Sequence, residues 1–424
     1  MPQYVLQKIK LISIYFGNLF EHYDTALYTF LSPFFAKLFF PEHDGLTALI
    51  LTFAIAPLGM IARPIGALIF GFIGDTKGRG RALSLSLLGM ATVTACIGIM
   101  PTTTQIGTIA PLLLLLSRIL QNFFAAGEIT GGAIYYLESV KNESRKDFAS
   151  SVYSTSTVAG ILLASGMIAI LYHFNWIEKG WRWLYLGGSA TALFGVFIRY
   201  LSTDQEFQIT NSTPIKSNFF ERLKAINTHR KAAFSIAIAS GFSYATYLTA
   251  FTLMNGFVPL ISSIKEAEIT KINTGLLLFD LLLLPVFGAV ASRFNRVYMM
   301  QLSALSAVSF GIPLFYFLEN GSILMLIFIR MCFVIIGVWF SATFYSWAES
   351  LIPQEHRYSV ISFSYSIGSQ AFGSSAAAIS LWLYKQTSLV TSASWYWIFL
   401  GALTFACLYK TQMAPKQTKL SSLT

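Results

Sequence analysis

Charge is what this sequence has least of: only 11% of its 424 residues are Asp, Glu, Lys or Arg, where a water-soluble domain carries roughly 25%. With 55% hydrophobic residues and a mean hydropathy of +0.61, too little polar surface remains to clothe a globule in water. The length would suit two or three soluble domains, but the composition excludes them. Cysteine is also scarce. Cys96, Cys332 and Cys407 each lie inside an apolar run with no CxxC spacing. That argues against a disulfide framework or a zinc site and reads as small apolar packing residues. No G-x-x-x-x-G-K-[ST] phosphate loop, no nucleophile elbow and no metal-spaced His/Cys/Asp/Glu cluster occurs, so neither an enzyme nor a nucleotide-driven pump is expected, and no cofactor. Acid is shorter than base, 19 against 29, leaving a net charge of +10. A nucleic-acid partner would need a basic stripe on a folded surface. Here Lys and Arg sit in short clusters between apolar runs, so no such partner is expected.

Those apolar runs are what the sequence does have. A spanning helix needs about 20 mostly apolar residues, and twelve stretches qualify: 10–37, 46–73, 82–101, 109–137, 149–173, 183–202, 232–260, 272–291, 298–318, 322–349, 358–384 and 391–410. The expected fold is therefore all-α and integral to a membrane. Glu21, His22 and Asp24 interrupt the first run, unlike the uninterrupted core of a signal peptide, so this helix is expected to be retained. Positive residues concentrate in alternate loops: Lys77, Arg79 and Arg81; Lys141, Arg145 and Lys146; Lys216, Arg222, Lys224, Arg230 and Lys231; Arg293 and Arg296; Lys410, Lys416 and Lys419. By the positive-inside rule both termini are cytoplasmic.

The only long polar stretch lies at 203–231. It divides the chain into an expected N-terminal bundle (1–202), a cytoplasmic central loop (203–231), a C-terminal bundle (232–410) and a short tail (411–424). The two parts echo each other. Gly71 to Arg79 after the second run matches Gly288 to Arg296 after the eighth. Tyr136-Leu-Glu138 with Arg145 matches Trp347-Ala-Glu349 with Arg357. Two pseudo-symmetric six-helix bundles follow, a repeat class known among transporters.

Charged groups inside the apolar runs are the candidate functional residues, because each costs about 2.5–3.5 kcal/mol near the bilayer centre. Gly17, Glu21, Asp24 and Tyr28 fall at i, i+4, i+7 and i+11, on one helix face, with Asn18 beside them. Two neighbouring carboxylates, like charges away from water, favour holding a proton between them. In the fourth run Arg118, Gln121 and Glu128 stand out. The planar fork of Arg118 suits a substrate carboxylate, and it equally suits neutralising an acid of the first run. Arg63-Pro64 marks a break in the second run and places Arg63 within reach of substrate. His22 lies on another face. Asp280 and Arg330 are the lone membrane charges of the second half, positioned either to balance each other or to line a cavity. Tyr28, Tyr244 and Tyr247 offer walls for a quaternary ammonium.

The loop GDTKGRGR (74–81) is the sharpest local pattern. Gly71, Asp75, Gly78, Arg79 and Arg81 match G-x-x-x-D-x-x-G-R-x-[RK], the signature of the major facilitator superfamily, which the sequence resembles. The resemblance implies a fold of twelve helices and a cytoplasmic gate whose acids and bases pair across the bundles. Beyond the signature residues, Glu138, Arg145, Arg293, Arg296, Glu349 and Arg357 are the gate candidates. In the second copy Ser292 replaces the acid. Gly17-Asn18, Glu21, Tyr23-Asp24 and Tyr28, then Phe39-Phe-Pro41, Arg63-Pro64-x-Gly66-Ala67, Arg118-Ile-Leu-Gln121, Gly127-Glu128, Glu206-Phe207-Gln208 and Pro353 with Arg357-Tyr358-Ser359 resemble the metabolite–proton symporter family within it. That family includes proline/betaine, α-ketoglutarate, citrate and shikimate transporters.

The resemblance implies a monomeric inner-membrane symporter that imports a small metabolite with protons. Its pathway would use Asn18, Glu21, Asp24, Tyr28, Arg63, Arg118, Gln121 and Glu128. The leading substrate is a proline or glycine betaine type of zwitterion. An organic acid or another amino acid is the alternative, and a non-transporting sensor a remote one. Asn122, where the family has glycine, and His22, where it has an aromatic, are departures. The tail of about 14 residues carries no heptad, so no coiled-coil osmosensing arm is expected.

Overall fold

Helices make up the whole framework of the computed structural model, which describes residues 3–59, 62–77, 79–126, 133–134, 136–137, 140, 142, 145–203, 219–319, 322–354 and 356–413. Helix α1 (Gln3–Phe39) runs 37 residues, about 55 Å at 1.5 Å per residue. The second apolar run forms two helices, α2 (Gly45–Gly59) and α3 (Ala62–Lys77). Then come α4 (Arg79–Gly98), α5 (Ile109–Ala125), α6 (Lys146–His173) and α7 (Ile177–Thr203). Asp44 starts α2: its carboxylate accepts from the Thr47 amide at 2.9 Å and from the Thr47 hydroxyl. These bonds hold the exposed Asp44 carboxyl below the usual carboxylate range.

The stretch 203–231, expected to be loop, contains a helix, α8 (Phe219–Thr228). Ala225 is buried while Lys224 is exposed, so one side of α8 packs inward. The seventh run is α9 (Arg230–Tyr247), a π-helical turn (Leu248–Leu253) and α10 (Met254–Ile261). It is followed by α11 (Glu266–Ala291), α12 (Arg296–Tyr316) and α13 (Ile323–Leu351). The eleventh run repeats the broken pattern: α14 (Arg357–Ile367), a π turn (Gly368–Gly373) and α15 (Ala376–Thr387). A 3₁₀ turn leads into α16 (Trp395–Met413). Among the described residues six helices are long and apolar enough to cross a membrane unaided. Each of the twelve predicted stretches contains helix among its described residues.

The surface inverts the soluble pattern. On α11 Leu278, Leu282 and Val286 face outward, Leu282 being 63% exposed. Asn273, Leu277, Asp280, Leu284 and Gly288 of the same helix are buried. Exposed apolar residues on this scale suit lipid tails rather than water. Cys96, expected to be buried, is exposed on α4.

Where helices cross closely, small residues permit it. A side chain at Gly160 of α6 would come within 3.0 Å of the α1 backbone at Leu19 and Tyr23. One at Gly241 of α9 would meet the Gly368 carbonyl at 3.1 Å. These approaches bring α1 against α6 and α9 against the second π turn, and the side chains of those elements then converge on one centre.

Candidate functional site

The centre of the bundle is polar because α1 carries its acids on the inward face, and each acid has found a different helix. Glu21 is paired with Arg63 of α3 at 2.9 Å, both side chains buried. Asp24 turns to α4 and α5, accepting from the Thr94 hydroxyl at 2.6 Å and from the Gln121 amide. Its other oxygen is buried and has no hydrogen-bond partner among the described residues. The Gln121 carbonyl in turn accepts from Arg118. Three buried groups thus form a chain, Asp24–Gln121–Arg118. A direct pairing of an α1 acid with Arg118, one of the sequence expectations, does not occur: Gln121 stands between them, and Glu21 is held by Arg63.

Arg118 lies over the Tyr28 ring, 4.4 Å from its centroid, and Tyr28 donates to the Thr52 carbonyl at 2.6 Å. Asn18 donates to Ser156 and Thr157 of α6, at 2.7 and 2.9 Å. His22 is bonded through Nδ1 to the Asn18 carbonyl at 2.8 Å, a local backbone tie. Losing Glu21 leaves Arg63 buried without its ion partner, which costs about 3–5 kcal/mol. Glu21→Ala is therefore expected to melt well below wild type in detergent, with partial recovery in the double variant Glu21→Ala/Arg63→Met.

Beside this chain lies a cavity of about 30 Å³, room for little more than a water molecule or two. Tyr28, Arg63, Arg118 and Asn122 line it from one side, and Tyr244, Thr252, Gln370 and Ser374 from the other. Leu248 and Thr252 come from the first π turn; Gln370 comes from the second, and Ser374 follows it directly. Such turns widen a helix locally and recur at functional sites. Nothing in a single sequence distinguishes them, so Thr252, Gln370 and Ser374 escaped the sequence reading. Tyr247 does not line the cavity, and the Tyr28 face is taken by Arg118. Of the two cations in the lining, Arg63 is neutralised by Glu21, and Arg118, with no ion pair to a described residue, is the one that can accept an anion.

Ion pairs tie the two halves together near both ends of α6. At one, Lys37 is paired with Glu266 at 2.6 Å, and Tyr172 donates to the same carboxylate at 3.3 Å. At the other, Glu349 binds Lys146 at 2.9 Å and Arg357 at 2.7 Å. There too, Arg296 lies 3.3 Å from Asp147, and Ser346 donates to Asp147. Of the gate candidates, Arg296, Glu349 and Arg357 thus join one network. Arg145 and Arg293 are exposed, with no ion pair to a described residue. Lys146 and Asp147, missed by the sequence reading, take the places at the start of α6, where an acid reads equally as a helix-end residue. At Gly71, Asp75, Arg79 and Arg81 only the backbone path is described, and Gly78, Glu128 and Glu138 lie outside the described residues. Arg330 does not balance Asp280 as a pair. It donates to the Ala250 carbonyl, from Nη2 at 2.9 Å and Nε at 3.2 Å.

Known proteins share this arrangement of helices. The xylose transporter XylE from E. coli, in a partially occluded inward-open conformation, superimposes with a TM-score of 0.69 at 15% identity, covering 96% of this chain and 97% of that one. The E. coli fucose:proton symporter FucP gives 0.65 at 14% identity, over 95% and 98%. In sequence, the citrate-proton symporter of Klebsiella pneumoniae is 29% identical over 95% of this chain and 92% of its own length. The alpha-ketoglutarate permease of Escherichia coli (strain K12) is 28% identical over 92% and 90%. A putative proline/betaine transporter of Staphylococcus aureus (strain COL) is 27% identical over 92% and 84%. All are membrane transporters by name, and none is an enzyme. The sequence profile described as Major Facilitator Superfamily matches residues 14–278, more than half of the chain, and the protein is a multi-pass membrane transporter belonging to that superfamily.

Proposed function

We propose that the chain is a proton-coupled symporter that imports a small carboxylate-bearing metabolite by alternating access. The observation that carries this reading is the buried chain from Asp24 through Gln121 to Arg118, ending at the cavity wall. An ionised Asp24 draws Arg118 through Gln121 and competes with a substrate anion for it. A proton on Asp24 cancels that pull and leaves the guanidinium fork to bind the substrate carboxylate. Proton and substrate therefore favour each other's binding, and the coupling is reciprocal. The Glu349 and Asp147 network then acts as the gate at one end and Glu266 with Lys37 as the gate at the other. The two bundles, 1–202 and 232–410, rock about the central site.

The Lys/Arg bias supports cytoplasmic termini, proton coupling calls for an energised membrane such as a cell's inner membrane, and the working unit is a monomer. Within the carboxylate class, the lining favours an organic acid: Arg118 is a cation with no ion pair to a described residue, and the Tyr28 face that would cage a quaternary ammonium already holds it. A proline or betaine zwitterion is the second reading, favoured by relatives that carry that name. The test is uptake of labelled citrate, α-ketoglutarate, proline and glycine betaine into proteoliposomes under an imposed proton gradient. Gradient-dependent uptake of a di- or tricarboxylate is the expected result. Uptake of betaine or proline alone would move the assignment to the zwitterion. Uptake indifferent to collapse of the gradient would remove proton coupling.

A further inference from the structure

The second half holds an acid that neither the cavity nor the gates use. Asp280 lies mid-way along α11 on its buried stripe, 6% exposed, between Leu277 and Leu284. It makes no hydrogen bond or ion pair with any described residue. From α9, Tyr247 lies within electrostatic reach of Asp280, and its hydroxyl is buried with no hydrogen bond to a described residue. From α13 comes Arg330, turned away to the Ala250 carbonyl; Cys332, Tyr345 and Glu349 lie on the same helix, Glu349 bound at the gate. From α6, Lys146, Asp147 and Tyr153 lie towards one end and Tyr172 and His173 towards the other. α10 contributes Asn255, bonded to Asn273 of α11. Among the described residues no cation neutralises Asp280.

Sequence spacing adds an independent observation. Asp280 follows Arg63 by 217 residues, the interval that separates Gly71 from Gly288, and Arg330 follows Arg118 by 212, the interval from Arg145 to Arg357. Tyr247 follows Tyr28 by 219. The three groups that shape the first half's site recur in the second with an acid in place of one arginine. An isolated carboxylate away from water cannot stay charged without a counter-ion, and a metal ion would need about six oxygens, more than one carboxylate and one phenol supply.

We propose that Asp280, buried on α11 without a counter-ion among the described residues, is a second proton-binding site, seated in the C-terminal half and separate from Asp24. No hydrogen bond joins Asp280 and Tyr247 in this structure; the phenol dipole acts on the carboxylate through space, and a rotation that brought them together would let the phenol donate to the ionised form. One proton is taken up by the carboxylate from the water-filled side and released from it on the other. This rests on the symport reading above, and it raises the protons carried per substrate by one.

The test is infrared titration of the full chain in liposomes, which needs no substrate, read beside the proton-to-substrate ratio with α-ketoglutarate as probe. The wild type should show a carboxyl C=O band that titrates with pH, absent from Asp280→Asn, and moved in frequency in Asp280→Glu and in pH midpoint in Tyr247→Phe. The ratio should be lower by one in Asp280→Asn. A wild-type infrared titration unaltered in Asp280→Asn overturns the proposal. If that variant fails to insert, an unshifted band in both Asp280→Glu and Tyr247→Phe overturns it instead. Wild-type uptake indifferent to the proton gradient defeats the symport reading, while loss of the band in Asp280→Asn would still uphold the site.

Discussion

Asp24→Asn is expected to abolish the stimulation of uptake by a proton gradient, while counterflow without a gradient falls much less. Asn occupies the same volume and can keep the bonds from Thr94 and Gln121, but it cannot change charge. Asp24 has one oxygen already held by those two donors and one buried oxygen with no hydrogen-bond partner among the described residues. A proton on that second oxygen is stabilised by nothing but relief of the buried charge, so the group can load and unload. Fixing it neutral removes a coupling of about 1–3 kcal/mol, or roughly 5- to 150-fold in the effect of proton on substrate affinity. The measurement is the ratio of gradient-driven uptake to counterflow in proteoliposomes. A wild-type ratio in Asp24→Asn would take the proton site away from α1.

Arg118→Ala is expected to raise the KM for the transported acid by the largest factor of any single change. Truncating one partner of a buried, hydrogen-bonded charge pair costs about 2–5 kcal/mol, or roughly 30- to several-thousand-fold. Arg118→Lys separates charge from shape. It keeps the cation but loses the fork that bonds Gln121 and a carboxylate together, and its KM should fall between wild type and Arg118→Ala. Equal losses in both would mean that geometry, not charge, holds the substrate. A wild-type KM in Arg118→Ala would move the anion site to Arg63. The Glu21→Ala melting experiment serves as the contrast, because Glu21 is already held by Arg63.

Much of the framework is legible in the order of residues alone. Apolar run length locates the twelve helical stretches, because a backbone in lipid must bond to itself and needs a fixed length to cross. The spacing of Glu21, Asp24 and Tyr28 places them on one face of α1 by helical period. The loop signature with the Arg63-Pro64 and Arg118 segments suffices to name the superfamily. What the sequence leaves open is partnership. Glu21 takes Arg63, Asp24 takes Thr94 and Gln121, and Arg330 takes a backbone carbonyl, because long-range pairing depends on the rotation and depth of helices relative to each other. Single-residue spacing carries no information about either.

Charge and periodicity, which act along the chain, are therefore decided by the sequence itself: membrane class, helix positions and which acids face inward. Packing decides the rest. The π turns at Leu248–Leu253 and Gly368–Gly373 bring Thr252, Gln370 and Ser374 to the cavity, and Lys146 and Asp147 replace Arg145 at the gate. Only the tertiary structure leaves Asp280 without a counter-ion among the described residues, since a charge is paired or unpaired by what other helices place beside it.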